Sequence, residues 1–241
     1  MKQNYRDDAC LRTPKILSRR AEMDRTPPLK SKILIADDHH AIRQGVRGLL
    51  EAHPGYDIVA EASDGRAALR LALENKPDIA ILDYSLPLMN GLELTRSIKH
   101  ELPRTEILIY TMHDRESVLV DVLRAGARGY VLKSDSGAHL VAAASALAKH
   151  KPYFSGAISE TLLEHFIDSD HSADGRIVLT AREREIVQLI AEGKLNKQIA
   201  HLLSISVKTV ETHRSAAMHK LKIKSTAELV LYAVRNNIVE P

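Results

Sequence analysis

Asp37-Asp38, Asp83, Thr111 and Lys133 each stand at, or just past, the C-terminal end of a short apolar run. One aspartate after such a run is ordinarily a helix cap or a turn residue, and Asp64, just ahead of Gly65, reads that way. Three carboxylates, a hydroxyl and an ammonium from four separate runs are a different matter. If the runs are neighbouring strands, these groups meet on one rim. The carboxylates would repel one another there, and a hard divalent cation with oxygen ligands relieves that repulsion. Mg2+ suits such a site because it takes a few carboxylates and keeps positions for water and phosphoryl oxygens. Lys133 and Thr111 would then meet phosphoryl oxygens as a positive charge and a hydroxyl donor. The neighbouring His39-His40 reads as the solvent-facing start of a helix.

The elements that must position this rim are legible as alternating periods. Residues 32–36, 56–60, 78–83, 106–111 and 129–133 are short and apolar on both faces, as strands of a parallel sheet covered on both sides must be. Between them, residues 40–52 set Ile42, Val46, Leu49 and Leu50 on one side at helical spacing. Ala67, Ala68, Leu71 and Ala72 do the same in the next helix, and further helices are expected near 91–99, 116–125 and 136–148. Five strand–helix alternations predict a doubly wound α/β domain over residues 32–150, with ligands beyond the strand C-termini.

Residues 1–31 show no periodicity, contain Thr26-Pro27-Pro28 and read as a flexible tail; Met23 is an alternative start. Residues 151–178 read as an acidic linker with a short helix after Ser159. The formal net charge of +3 partitions as +4 over 1–31, −2 over 32–150, −3 over 151–178 and +4 over 179–241. A basic last domain suits a phosphate-rich partner. The single Cys10 leaves no disulfide framework. No apolar run reaches the roughly 18 residues of a membrane span, so a cytoplasmic protein without membrane contact is expected.

Residues 179–241 are helical throughout. Thr180 with Glu183 predicts a capping box, Gly193 a helix end, and Asn196 the cap of a second helix. Ser204-Ile205-Ser206 turns the chain into a third helix from about Val207 to Leu221, and a fourth runs from Thr226 to Arg235. Two short helices joined by a tight turn, the second rich in polar groups, read as a helix-turn-helix.

The string Asp37-Asp38, Asp83-Tyr84-Ser85-Leu86-Pro87 with Gly91, then Thr111 and Lys133, resembles the receiver domain of two-component response regulators. That resemblance implies a flavodoxin-like sheet of five parallel strands in the order 2-1-3-4-5. It implies Asp83 as the phosphoacceptor, with Asp37, Asp38, Asp83 and the Ser85 carbonyl around Mg2+. Thr111 and Tyr130 would be the switch pair, Tyr130 turning inward on phosphorylation, and Lys133 would bind phosphoryl oxygens. Ser85 and His113 occupy the positions that tune dephosphorylation. Leu179-Thr180-Ala181-Arg182-Glu183-Arg184-Glu185-Ile186, Asn196-Lys197-Gln198-Ile199-Ala200 and Ser206-Val207-Lys208-Thr209-Val210-Glu211-Thr212-His213 resemble the LuxR-type domain of the NarL/FixJ group. Leu195 departs from it, replacing a small polar residue. The resemblance implies phosphate contacts from Lys208, Thr209, His213 and Lys220. Base edges would meet Glu211, Thr212 and Ser215 with Arg214 nearby, and Leu229, Tyr232 and Ala233 would serve dimerisation.

The expected function is therefore transcription regulation, switched by phosphoryl transfer from a sensor histidine kinase. A homodimer would bind an inverted repeat in double-stranded DNA, with RNA polymerase as a further partner. The chain is not expected to be an enzyme. Two rival readings fit the residues less well. An aspartyl-nucleophile phosphatase usually carries its nucleophile after the first strand, where this chain has Asp37-Asp38. A phosphorylation-independent DNA-binding protein would have no use for a complete acceptor set.

Overall fold

The computed structural model describes residues 30–156, 158–159 and 179–239. Of the tail expected over residues 1–31, residues 1–29 lie outside the described residues, and Ser31 belongs instead to the first strand, where its amide hydrogen bond and its pairing with Tyr56 hold it in the sheet. The short helix expected after Ser159 also lies outside the described residues.

The strands are β1 (Ser31–Ala36), β2 (Tyr56–Ala62), β3 (Ile79–Leu82), β4 (Glu106–Thr111), β5 (Gly129–Leu132) and β6 (Tyr153–Phe154). They form one parallel sheet in the order β2-β1-β3-β4-β5-β6. The expected order is present with a sixth strand added. Tyr153-Phe154, assigned to the linker on sequence, pairs with Gly129 and Tyr130. A left-handed His150 returns the chain to the edge of the sheet, and the Tyr153 hydroxyl meets His139 at 2.7 Å.

Five helices cover the two faces: α1 (His40–Glu51), α2 (Gly65–Asn75), α3 (Gly91–Glu101), α4 (Glu116–Arg124) and α5 (Gly137–Leu147). Strand side chains alternate between faces. Ile33, Ile35, Ile79 and Ile81 therefore pack with Val46 and Leu50 of α1 and with Leu140, Ala143 and Leu147 of α5. Leu34, Ala80 and Leu82 pack on the opposite side with Ala68 and Ala72 of α2, Leu92 and Ile98 of α3, and Val118 and Val122 of α4. Full burial of each large aliphatic side chain contributes about 1.5–3 kcal/mol, and this double core holds the strand ends in register. One helix-face expectation needs correction: Leu49 is 41% exposed while Val46 and Leu50 are buried. The inward stripe of α1 is narrower than the pattern suggested.

The last domain contains α6 (Ala181–Ala191), α7 (Asn196–Leu202), α8 (Val207–Leu221) and α9 (Thr226–Arg235). The capping box is present: Thr180 Oγ1 accepts from the Glu183 amide at 3.2 Å, and the Glu183 carboxylate accepts from the Thr180 amide at 2.8 Å. A left-handed Gly193 (φ +79°) follows α6, a conformation glycine adopts without a Cβ penalty. The cap of α7 differs from expectation. Leu195 occupies that position and offers no side-chain oxygen, so Asn196 is the first helical residue. The Gln198 side chain compensates by accepting from the Leu195 amide at 2.8 Å.

The two domains meet. Arg66 of α2 pairs with Glu185 of α6 and donates to the Leu202 carbonyl at 2.9 Å. Gln188 of α6, 1% exposed, donates to the Leu86 carbonyl and accepts from the Asn90 amide, both at 3.0 Å. Glu192 accepts from the Leu88 amide at 3.0 Å. The loop between β3 and α3 is thus held by α6 of the other domain.

Candidate functional site

Register places the rim. Ala36 of β1 pairs with Leu82 of β3, so the next residues, Asp37 and Asp83, emerge side by side, and the Asp83 amide donates to the Ala36 carbonyl at 2.8 Å. On the other side Thr111 pairs with Leu132, and the Lys133 amide donates to the Thr111 carbonyl at 2.8 Å. The close approach of the following helix requires glycine at position 91. A Cβ there would lie 2.4 Å from the Asp83 carbonyl oxygen.

Lys133 Nζ lies 2.7 Å from a carboxylate oxygen of Asp37 and 2.7 Å from one of Asp83. All three side chains are nearly buried, at 4–6% exposure, so these are short charge-assisted contacts in a poorly screened place. Burial pushes the Asp37 carboxyl up, Lys133 pulls it back, and the neighbouring Asp83 charge pushes it up again. Burial pulls the Lys133 ammonium down, but Asp83 and Asp37 together hold it above its ordinary value. Like charges that crowd a cation in this way make a site ready for a further one.

Asp38 stays partly exposed, with His39 Nδ1 2.8 Å from its carboxylate. Asp37, Asp38 and His39 bring one donor atom each within 4.8 Å of one another. His39, expected to face solvent, is exposed but belongs to this cluster. Sequence reasoning missed Arg43, whose guanidinium donates to the Asp37 carbonyl at 2.7 Å and the Asp38 carbonyl at 3.2 Å. Its only signal was a basic residue one helical turn into α1.

Ser85 Oγ meets His113 Nε2 at 2.8 Å across the mouth of the rim. Tyr130 is fully buried and its hydroxyl donates to the His113 carbonyl at 2.7 Å. Burial strongly raises its phenol pKa. The inward Tyr130, expected to follow phosphorylation, is already in place here because its hydroxyl finds that carbonyl. Tyr84 packs edge-on against the His113 ring at 5.2 Å, and burial pushes its phenol up to about 12. Thr111, 1% exposed, accepts from the His113 amide at 3.4 Å. The structure sets Lys133 against Asp37 and Asp83, and gathers Ser85, Thr111 and Tyr130 around His113.

In the last domain, Lys208, Glu211, Thr212 and Ser215 are exposed at i, i+3, i+4 and i+7, a single stripe along α8. Val210 and Ala217 anchor the opposite side in the core. Thr209 bonds Ser206 at 2.8 Å, His213 is half-buried, and Arg214 donates to Thr226 Oγ1 at 2.5 Å. Two expectations change. Lys220 is engaged with Glu183 at 2.7 Å, which ties the end of α8 to the start of α6 and gives the ammonium a partner other than DNA. Leu229 and Ala233 are 0% exposed, packed in the domain's own core with Tyr232 against it, so they present no surface to a second copy. Leu231, 54% exposed, is the large apolar residue that α9 offers.

Fold and site together define an acidic receiver-type α/β domain joined to a helix-turn-helix domain. Residues 33–145 match the response regulator receiver domain, and residues 177–233 match the bacterial regulatory proteins of the luxR family. Oxygen regulatory protein NreC of Staphylococcus haemolyticus (strain JCSC1435) is 40% identical over 215 residues, covering 87% of this chain and 99% of the relative. The crystal structure of a LuxR-family two-component response regulator from Aurantimonas sp. SI85-9A1 is 39% identical, with a TM-score of 0.56, over 58% of this chain and 99% of that one. RcsB from Salmonella enterica serovar Typhimurium, bound to a promoter in the presence of a phosphomimetic, is 31% identical with a TM-score of 0.57. That similarity covers 84% of this chain and 98% of the RcsB chain. The chain belongs to the response regulators of the NarL/FixJ type, DNA-binding regulators of two-component systems. Among the described residues, no helix is long and apolar enough to cross a membrane.

Proposed function

We propose that Asp83 is the phosphoacceptor and that its phosphorylation by a sensor histidine kinase controls transcription through α8. The observation that carries this reading is the buried contact of Lys133 with both Asp83 and Asp37, at 2.7 Å each. Such a lysine can follow the charge from the carboxylate to the oxygens of a new acyl phosphate.

The donor set is hard oxygen, from Asp37, Asp38, Asp83 and the Ser85 carbonyl, and it suits Mg2+. When bound, Mg2+ would supply positive charge to the phosphoryl oxygens. The chain's own residues do the rest. An Asp83 oxygen forms the new bond to phosphorus as the donor's P–N bond breaks and its nitrogen takes up a proton. Lys133 and Thr111 receive the phosphoryl oxygens, and Ser85 and His113 flank the path of an attacking water. Thr111 and Tyr130 meet around His113, so a shift of Thr111 toward the phosphoryl group would be felt at the β4–α4 loop. The outcome is a shift between two populations, sized by how differently they bind the group.

On DNA, the stripe Lys208, Glu211, Thr212 and Ser215 faces the major groove, with Thr209, His213 and Arg214 beside it. Phosphate contacts would set affinity and salt dependence, and base contacts the sequence. A twofold dimer, with α9 contributing Leu231, would read an inverted repeat in the cytoplasm, where RNA polymerase is a further partner. The chain acts by being modified and by binding, not by turning over a substrate. Fluorescence anisotropy on a selected inverted-repeat duplex tests this. Phosphoramidate with Mg2+ should tighten binding by the intact chain and leave Asp83→Asn unchanged; equal tightening in both would contradict it.

A further inference from the structure

The mouth of the acceptor site is built by both domains. A cleft of about 340 Å³ is lined by Asp38, Ser85 and Leu88 on one side, and by Gln188, Glu192 and Lys194 of the DNA-binding domain on the other. Gln188 and Glu192 hold the backbone of the loop that follows Asp83, through the Leu86 carbonyl and the Leu88 and Asn90 amides. Leu88 is left-handed (φ +65°), a conformation unfavourable for a residue with a Cβ, and its amide is pinned by Glu192. Arg66 with Glu185, and Arg184 with Glu93 at 3.5 Å, fasten the same face on either side. The DNA-reading stripe of α8 takes no part: Lys208, Glu211, Thr212 and Ser215 stay exposed. Docking in this arrangement closes over the Asp38 and Ser85 side of the acceptor rim and leaves the α8 stripe open.

We propose that the docked DNA-binding domain is a donor filter: small phosphoramidates reach Asp83 past it, and a phosphohistidine carried on a protein does not. The proposal rests on Asp83 being the acceptor. The chemistry is the same for both donors. An Asp83 carboxylate oxygen forms an O–P bond, the P–N bond breaks, and the departing nitrogen takes a proton from water. Only access separates them. Pockets of about 300 Å³ and above hold small molecules. A specific protein complex buries about 1,200–2,000 Å² in total, and a phosphohistidine can reach Asp83 only with its surrounding helix seated around this mouth. Gln188, Glu192 and Lys194 occupy that ground. Kinase transfer therefore selects the undocked form, and anything that favours undocking raises the protein-donor rate alone.

The test holds the domains together at a point away from the rim. Arg66→Cys and Glu185→Cys, in a full-length chain with Cys10→Ser, are joined by a short bismaleimide. The small donor is phosphoramidate with Mg2+. The protein donor is the autophosphorylated catalytic core of a histidine kinase selected because it labels the unlinked chain. Linking should leave labelling by phosphoramidate within about twofold and cut transfer from the kinase by about tenfold or more, a difference of roughly 1.4 kcal/mol in access. Arg66→Ala with Glu185→Ala should raise kinase transfer and leave the phosphoramidate rate as it was. Kinase transfer to the linked chain at the unlinked rate would overturn the filter. So would an equal fall with both donors, which would mean that linking distorts the site, or failure of the two cysteines to join. Label surviving Asp83→Asn with phosphoramidate would instead strike the acceptor assignment itself.

Discussion

Lys133 and Asp83 form a buried ion pair that Asp37 shares, with the ammonium 2.7 Å from each carboxylate. Without the ammonium, two nearly buried carboxylates face each other. Lys133→Met should therefore cost about 3–5 kcal/mol of stability in the absence of divalent cations, the usual effect of removing one partner of a buried pair. Mg2+ should recover most of that loss. Thermal melting with and without Mg2+ checks this: the gain on adding the ion should be larger for Lys133→Met than for the parent. Equal gains would show that the ion does not bind at these carboxylates.

The Ser85 hydroxyl and the His113 ring are in contact at 2.8 Å, at the positions proposed to flank a water attacking the acyl phosphate. Ser85→Ala and His113→Ala should each change the lifetime of the phosphoryl group, by about tenfold if one hydrogen bond to the attacking water is involved. Decay followed by loss of label after removal of the donor reads it out. Parental decay rates in both variants would remove these residues from the reaction.

Glu183 joins the start of α6 to the end of α8 through Thr180 and Lys220. Burial pushes its carboxyl up, but Lys220 and the Thr180 hydrogen bonds outweigh it and hold the carboxyl below its ordinary value. A depressed folded pKa stabilises above the unfolded value and is lost as pH falls through the folded one. Glu183→Gln should thus destabilise the DNA-binding domain by about 1–2 kcal/mol at neutral pH. The deficit should shrink as pH falls below the ordinary carboxylate range. Denaturant melts at several pH values follow it, and a deficit constant with pH would contradict the pairing.

Much of the fold was legible because its signals are local. The apolar runs ending in Ala36, Leu82 and Thr111 are buried on both faces, so composition alone marked them as parallel strands. Asp64 announced its cap, accepting from the Ala67 amide at 2.8 Å. The rim followed from strand order. What escaped depends on tertiary partners. Gln188 is an ordinary polar residue in its helix until the loop after Asp83 is placed against it. Leu229 and Ala233 have the same spacing whether they face a second copy or their own core. Tyr153-Phe154 is too short a run to read as a strand without the sheet edge it joins.

Exposed positions of α8 should divide by role. Lys208→Ala should weaken binding uniformly across DNA sequences and lower the slope of log affinity against log salt by about one. Glu211→Ala should leave the slope alone and relax base preference by about 1–3 kcal/mol at one position, because a carboxylate accepts from a cytosine amino group. Salt titrations on a panel of duplexes separate the two. Identical behaviour of both variants would contradict the orientation of α8 in the groove.

Phosphorylation at Asp83 itself is the most direct measurement. The full-length chain is treated with phosphoramidate and Mg2+, and its intact mass is recorded beside that of Asp83→Asn. The parent should gain the mass of one phosphoryl group, labile to hydroxylamine as an acyl phosphate is, and the variant none. The same gain in Asp83→Asn would contradict the account.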